Sequence, residues 1–190
     1  WSDTTFPTLA FGQGLSVNVV QAASVFATIA NDGVRMKPRL IGGYSNAEGS
    51  FESSGIDKGT RVVSAQTAKT VREMLEVVVS EDGTARNLAI PGYRVGGKTG
   101  TAEKSILGGY TRKAKVNTFA GIFPASNPKY VLIVLLDEPK TSSDYVYEYK
   151  NKKGSYKGTP FNTEGWTSVE VAGKIIEKIG PILATKHMEN

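Results

Sequence analysis

The 190-residue chain has no cysteine and a single histidine. Without cysteine there is no disulfide, no thiolate zinc site and no thiol nucleophile. The histidine, His187, stands in the tail Thr185-Lys186-His187-Met188-Glu189-Asn190, so neither a Ser-His-Asp triad nor a histidine metal site is expected within these residues. An acyltransferase or hydrolase built here must take its base from lysine. No run of about 18 apolar residues occurs, so no stretch reads as a membrane-spanning helix, and no signal-peptide pattern is present. The net charge of +5 comes from scattered lysines and arginines and reads as solvated surface, not as a polyanion-binding face. The opening Trp1-Ser2-Asp3-Thr4-Thr5 reads as the middle of a longer polypeptide, whose anchor or export signal would lie upstream.

What is present has the size and apolar content of one globular unit. Residues 18 to 31 are apolar nearly all round, which predicts a buried helix. Asn18 and Gln21 form its capping box, and Gly33 stops it. Residues 34 to 41, with Pro38, predict a short extended edge piece, and 42 to 60 a loop or weak hairpin. Ser64 caps a second helix over 65 to 80, with Val71, Met74, Leu75 and Val78 on one face. Strands follow at 94 to 103, 117 to 123 and 130 to 136, the last two joined by a turn at 124 to 129. Because 131 to 136 is apolar without alternation, it is expected to be covered on both faces. A polar loop spans 140 to 165. A final helix starts near Thr167, with Glu170 as capping partner, buries Ala172, Ile175, Ile176 and Ile179, and breaks or kinks at Gly180-Pro181. This order predicts an α+β fold, an antiparallel sheet flanked by helices.

The most informative segment is Tyr93-Arg94-Val95-Gly96-Gly97-Lys98-Thr99-Gly100-Thr101-Ala102-Glu103. Two chemistries use such a string. One is a phosphate loop, formally Gly92-x4-Gly97-Lys98-Thr99, with Asp137-Glu138 after an apolar strand as the magnesium acid. That mechanism needs a strand, the loop, and then a helix whose N-terminus faces the phosphates. Here Ile90-Pro91 leaves little room for the strand, Gly100 and Gly108-Gly109 interrupt the helix, and 118 to 136 reads as a hairpin where a nucleotide sheet needs parallel strands.

The other chemistry places the ribbon on a sheet edge beside a cleft. Glycines such as Gly100 let a ligand approach the backbone, and main-chain donors pair with an extended substrate. Lys98 supplies a cation, Thr99 and Thr101 offer hydroxyls to a carboxylate, and the Thr101 N–H can aim at a developing oxyanion. The plain alternative is an edge strand whose lysine deters aggregation.

The surrounding segments add a resemblance. Phe11-Gly12-Gln13-Gly14-Leu15-Ser16-Val17, Ala30-Asn31-Asp32-Gly33, Lys37-Pro38-Arg39, Asp82-Gly83-Thr84-Ala85, the Lys98-Thr99-Gly100 element, Phe119-Ala120-Gly121-Ile122-Phe123-Pro124 and Asp137-Glu138-Pro139 together resemble class B penicillin-binding proteins, most closely the division-type, septal D,D-transpeptidases. The resemblance runs from about Phe11 to the last helix. It implies the penicillin-binding, serine β-lactamase-like fold, present as the C-terminal portion of the transpeptidase domain. It implies cross-linking of peptidoglycan stem peptides through a serine acyl-enzyme that β-lactams trap. Lys98 would neighbour a second-motif serine and help the proton relay. Thr99 and Thr101 would hold the substrate or drug carboxylate, the Thr101 amide would complete the oxyanion hole, and the carbonyl of Thr101 or Ala102 would pair with the acyl side chain. No cofactor or metal is implied. The family's catalytic domain sits outside the bacterial inner membrane, in the periplasm, beside a membrane glycan polymerase.

The family's Ser-x-x-Lys nucleophile must start a helix so that lysine stacks one turn from serine. The literal match Ser126-Asn127-Pro128-Lys129 falls in the predicted turn with a proline inside, and Ser16-Val17-Asn18 reads as a helix cap. No nucleophile is therefore expected in this chain, and the preceding part of the domain would be its partner. Residues 104 to 115 read as a loop beside the cleft, contacting stem peptide or glycan or else merely solvated. The tyrosine- and lysine-rich stretch 144 to 156 reads as a mobile lid, a partner loop or plain surface, with no nucleic acid expected. A non-catalytic penicillin-fold sensor or scaffold is the remaining alternative.

Overall fold

The computed structural model describes residues 3, 5–10, 12, 14–55, 57–106, 109–148, 153–158 and 163–188. Helix α1 is Thr5–Ala10 and α2 is Val19–Ala30. Short strands β1 (Val34–Arg35), β2 (Gly43–Ser45), β3 (Phe51–Ser53) and β4 (Thr60–Arg61) lead to α3 (Ala65–Val77). A 3-10 turn at Arg86–Leu88 precedes β5 (Gly96–Ile106), β6 (Gly109–Phe123) and β7 (Tyr130–Asp137). Strands β8 (Val146–Glu148) and β9 (Ser155–Lys157), a 3-10 turn at Glu164–Trp166 and α4 (Ser168–Met188) complete the described chain.

The central sheet is antiparallel in the order β5-β6-β7. Side chains alternate across its two faces. Asn117 and Phe119 look toward α4, where Phe119 clusters with Val134, Val169, Ala172 and Ile176. Helix α3 lies against β5 and comes closest at Gly96, on the opposite face, and α2 packs on β6, β7 and α3. A side chain on Gly97 would collide with the Phe119 ring and with the Ala120 carbonyl. Glycine is required there because Phe119, fully buried, occupies the space a Cβ would need.

Several expectations hold. The Asn18 capping box forms, with Asn18 Oδ1 accepting from Gln21 N at 2.8 Å and Gln21 Oε1 from Asn18 N at 2.9 Å. Ser64 caps α3, 42 to 60 contains a hairpin of β2 and β3, and the three-strand antiparallel sheet has helices on it. Ala172 and Ile176 are fully buried, while Ile175 and Ile179 are partly so.

Others are corrected. Helix α2 stands where its sequence put it, but among its described residues only Thr28 is buried, and Val20 and Val25 are exposed. It meets β1, β6, β7 and α3, yet Val19, Val20 and Val25 remain exposed. Strand β7 meets both α4 and α2, as its unbroken apolar run predicts, although Leu135 stays exposed and no described strand lies beyond its edge. Of residues 34 to 41 only Val34–Arg35 form a strand, paired with β4. The strand predicted over 94 to 103 and the loop over 104 to 115 form one long hairpin arm, in which Lys104, Ser105 and Ile106 pair with Thr111, Tyr110 and Gly109. A register shift between Glu103 and Lys104 absorbs the extra residues on β6, as a bulge does. Inside 140 to 165, β8 and β9 pair, because Trp166 gives Tyr147 and Tyr156 a ring to pack on, at 5.4 and 6.2 Å between centroids. The Thr167 hydroxyl serves Thr163 O (2.8 Å) and Asn117 Nδ2 (2.9 Å), and α4 begins one residue later. Helix α4 continues through Pro181; Gly180 lies against the Tyr93 ring there.

Across the far end of the sheet, Lys104 Nζ reaches Glu138 Oε1 at 2.8 Å and Asp137 Oδ1 at 3.0 Å. The hydrogen bond to Glu138, then that to Asp137, raises the Lys104 pKa above the usual lysine value. A raised folded-state pKa contributes stability that is complete below the unfolded value, about 10.4, and is lost as pH climbs through the folded one. The stability gap between wild type and Lys104→Met, read from urea midpoints, should therefore persist at neutral pH and close above about pH 10.4. Gly97→Ala should cost about 1–3 kcal/mol in the same measurement; an unchanged midpoint would show that Phe119 does not fix the strand.

Candidate active site

The ribbon Gly96–Ala102 is regular β-strand. Its partner β6 lies on one side only; no described strand occupies the other edge. Lys98 is exposed, and Nζ donates to the carbonyl of Thr99 at 2.7 Å. Lys98, Gly100 and Ala102 pair with Ala120, Thr118 and Val116, and Thr118 Oγ1 donates weakly to Gly100 O at 3.4 Å.

By alternation Thr99 and Thr101 belong to the other face. Thr99 is only 6% exposed, and its hydroxyl lies 3.0 Å from that of Thr84. Thr101 and Ala102 are half-buried. The strand thus carries a cation on one flank and two hydroxyls on the other, with the open backbone edge between them. All five sequence-predicted site residues lie within one strand, but their side chains do not share a face.

This geometry rules out the phosphate loop. Lys98 and Thr99 sit in mid-strand, paired with Ala120 and Phe119, and the strand continues to Ile106 where a helix would have to begin. Gly92, with φ 83°, belongs to a separate turn closed by the Ile90–Tyr93 bridge. Asp137 and Glu138 hold Lys104, which accounts for those carboxylates without magnesium.

The false nucleophile motifs are also placed. Ser126-Asn127-Pro128-Lys129 forms the β6–β7 turn, not a helix start. Asn18 is spent as the α2 cap. Of the Gly-Gln-Gly segment, Phe11 and Gln13 lie outside the described residues, as do Tyr149, Lys150 and Lys152 of the aromatic-basic stretch.

Sequence reasoning missed the contacts behind the ribbon. The Asp82-Gly83-Thr84-Ala85 turn delivers Thr84 to Thr99, and Asn87 Nδ2 donates to Gly165 O at 2.9 Å, docking the Trp166 turn beside it. Nothing in spacing alone links residues 84, 99 and 165. A cavity of about 720 Å³ opens at the root of β5, between Glu76, Arg86, Arg94, Tyr147 and Trp166. The ribbon residues 98 to 102 do not line it.

Residues 1–161 match the model of the penicillin binding protein transpeptidase domain. The chain is 44% identical over 152 residues to penicillin-binding protein PbpB of Mycobacterium tuberculosis, covering 76% of this chain and 22% of that protein. It is 30% identical over 194 residues to the probable peptidoglycan D,D-transpeptidase FtsI of Caulobacter vibrioides, covering 98% of this chain and 29% of the relative. Among solved structures, penicillin binding protein 3 of M. tuberculosis complexed with ampicillin superposes with a TM-score of 0.74 at 36% identity, over 95% of this chain and 39% of that one. The chain therefore spans about a quarter of the length of these two relatives. The match over residues 1–161, the identities and the superposition agree: the chain belongs to the penicillin-binding protein transpeptidase domain family.

Proposed function

We propose that this chain supplies the substrate-binding strand of a peptidoglycan D,D-transpeptidase. The observation that carries the reading is the open edge of β5, with the exposed Lys98 on one flank and Thr99 and Thr101 on the other. An extended stem peptide adds to that edge through main-chain hydrogen bonds. Its terminal carboxylate is held by the hydroxyls of Thr99 and Thr101, and Lys98 contributes positive charge where the serine loses its proton. Gly100 and Ala102 give the acyl chain close access to the backbone.

The serine belongs to a part of the domain outside these 190 residues. It attacks the penultimate D-alanine carbonyl, and the Thr101 amide stabilises the oxyanion. The C–N bond breaks, D-alanine leaves with a proton, and the acyl group remains on the serine. The amine of a neighbouring stem then takes the acyl group and restores the hydroxyl. A β-lactam enters the same edge and acylates the same serine, but its leaving amine stays tethered. The uncovered face of α2 and the unpaired edge of β7 are where the rest of the domain packs. The assembled enzyme works in the periplasm, anchored in the bacterial inner membrane beside a glycan polymerase, at the division septum.

A fluorescent penicillin tests this. The isolated chain should remain unlabelled, whereas a polypeptide joining it to the nucleophile segment should be labelled covalently. In the labelled protein Lys98→Ala should slow acylation roughly 100-fold or more. Labelling of the isolated 190 residues would overturn the missing-nucleophile assignment. Failure of every longer polypeptide to label would favour a non-catalytic scaffold.

A further inference from the structure

The Thr84–Thr99 pair has a feature that neither the family likeness nor the ribbon sequence assigns. Two hydroxyls lie 3.0 Å apart, one on an exposed turn and the other only 6% exposed on the strand. A hydroxyl has one proton to give. If Thr99 gives its proton to Thr84, it turns only lone pairs toward an approaching anion. If Thr84 donates to Thr99, the Thr99 proton is left for the anion. The second arrangement makes a two-step donor chain in which each bond polarises the next.

The turn that carries Thr84 is held firmly enough to do this. Gly83 N donates to Ser80 O at 2.9 Å, Ala85 N to Val78 O at 2.9 Å, and Leu88 N to Ala85 O at 2.9 Å. Ala85 and Leu88 are fully buried. Gly83 presses so closely on the Val78 carbonyl that no Cβ fits. On its other side the Asn87–Gly165 hydrogen bond fastens the turn to the 3-10 turn that precedes α4. A group carried on over-determined backbone can fix the rotor of a neighbour, whereas one on a loose loop cannot.

We infer that Thr84 is a positioning residue: its hydroxyl donates to Thr99 and sets the Thr99 proton toward the carboxylate of the stem peptide or β-lactam. The inference rests on the transpeptidase reading and adds to it the residue that fixes the polarity of the carboxylate site. It also gives the Asp82-Gly83-Thr84-Ala85 segment a chemical task. Thr84 itself need not touch the substrate.

The test uses the polypeptide carrying this chain that a fluorescent penicillin labels, comparing wild type, Thr84→Val and Thr84→Ser. Valine keeps the shape and removes the donor; serine keeps the donor. Acylation is followed against penicillin concentration, with the penicillin methyl ester, which lacks the negative charge, as the second ligand. For the free acid, Thr84→Val should raise the half-saturating concentration roughly tenfold, the size of one charge-assisted hydrogen bond. The saturating acylation rate should stay within about twofold, because Lys98 and the oxyanion donor are untouched. Thr84→Ser should restore the wild-type value, and the ester should not distinguish the three proteins. Equal half-saturation for wild type and Thr84→Val would overturn the inference while leaving the transpeptidase reading intact. So would an equal loss with the acid and the ester, since a merely structural role would move both. If the wild type is not labelled in any polypeptide, the transpeptidase reading falls and this inference falls with it.

Discussion

Phe119 lies fully buried in the middle strand, its ring filling the volume that Gly97 leaves open on the neighbouring strand. The rest of the site depends on that exchange of a large side chain for an absent one. With the ring seated beneath the ribbon, β5 pairs with β6 in unbroken register from Gly96 to Glu103. That unbroken register preserves the alternation that puts Lys98 and Thr99 on opposite flanks. The same ring joins the cluster of Val134, Val169, Ala172 and Ile176, so the ribbon and the helix that closes the fold share one core.

Much of this was legible in residues. Asn18 with Gln21 and Ser64 before an amphipathic run specify caps through local hydrogen bonds, and local rules read them correctly. The antiparallel sheet followed from short turns between consecutive apolar segments. The ribbon was recognisable because few arrangements need three glycines around a lysine and two threonines. What failed was burial. A helix apolar all round predicts a buried one, yet α2 exposes Val20 and Val25, since periodicity states that a face wants covering and not which residues cover it. The 104–115 segment was read as loop because its lysines and glycines mask pairing that a register shift makes workable.

The site itself was legible in composition and only half legible in geometry. Four letters identify the cation and the hydroxyls, but strand alternation decides that they flank the edge and do not crowd one face. The partners behind the ribbon were illegible for a different reason. Thr84 meets Thr99 across 15 positions, and Asn87 meets Gly165 across 78; such meetings are products of the fold and leave no pattern in spacing. The phosphate-loop reading, formally complete in sequence, fell to the same fact, since a motif works only in the backbone conformation that its chemistry requires.

The register shift past Glu103 has a consequence for how this arm tolerates changes in length. Insertions or deletions on its outer side can be taken up by the irregular step, leaving the inner pairing as it is. Removing a single residue between Gly96 and Ala102 is another matter, because side chains swap sides at every position. Every residue beyond the gap would then change face, and the lysine and the threonines would no longer keep their present sides. Natural variation in length should therefore collect at the tip of the arm, and the inner segment should keep its count.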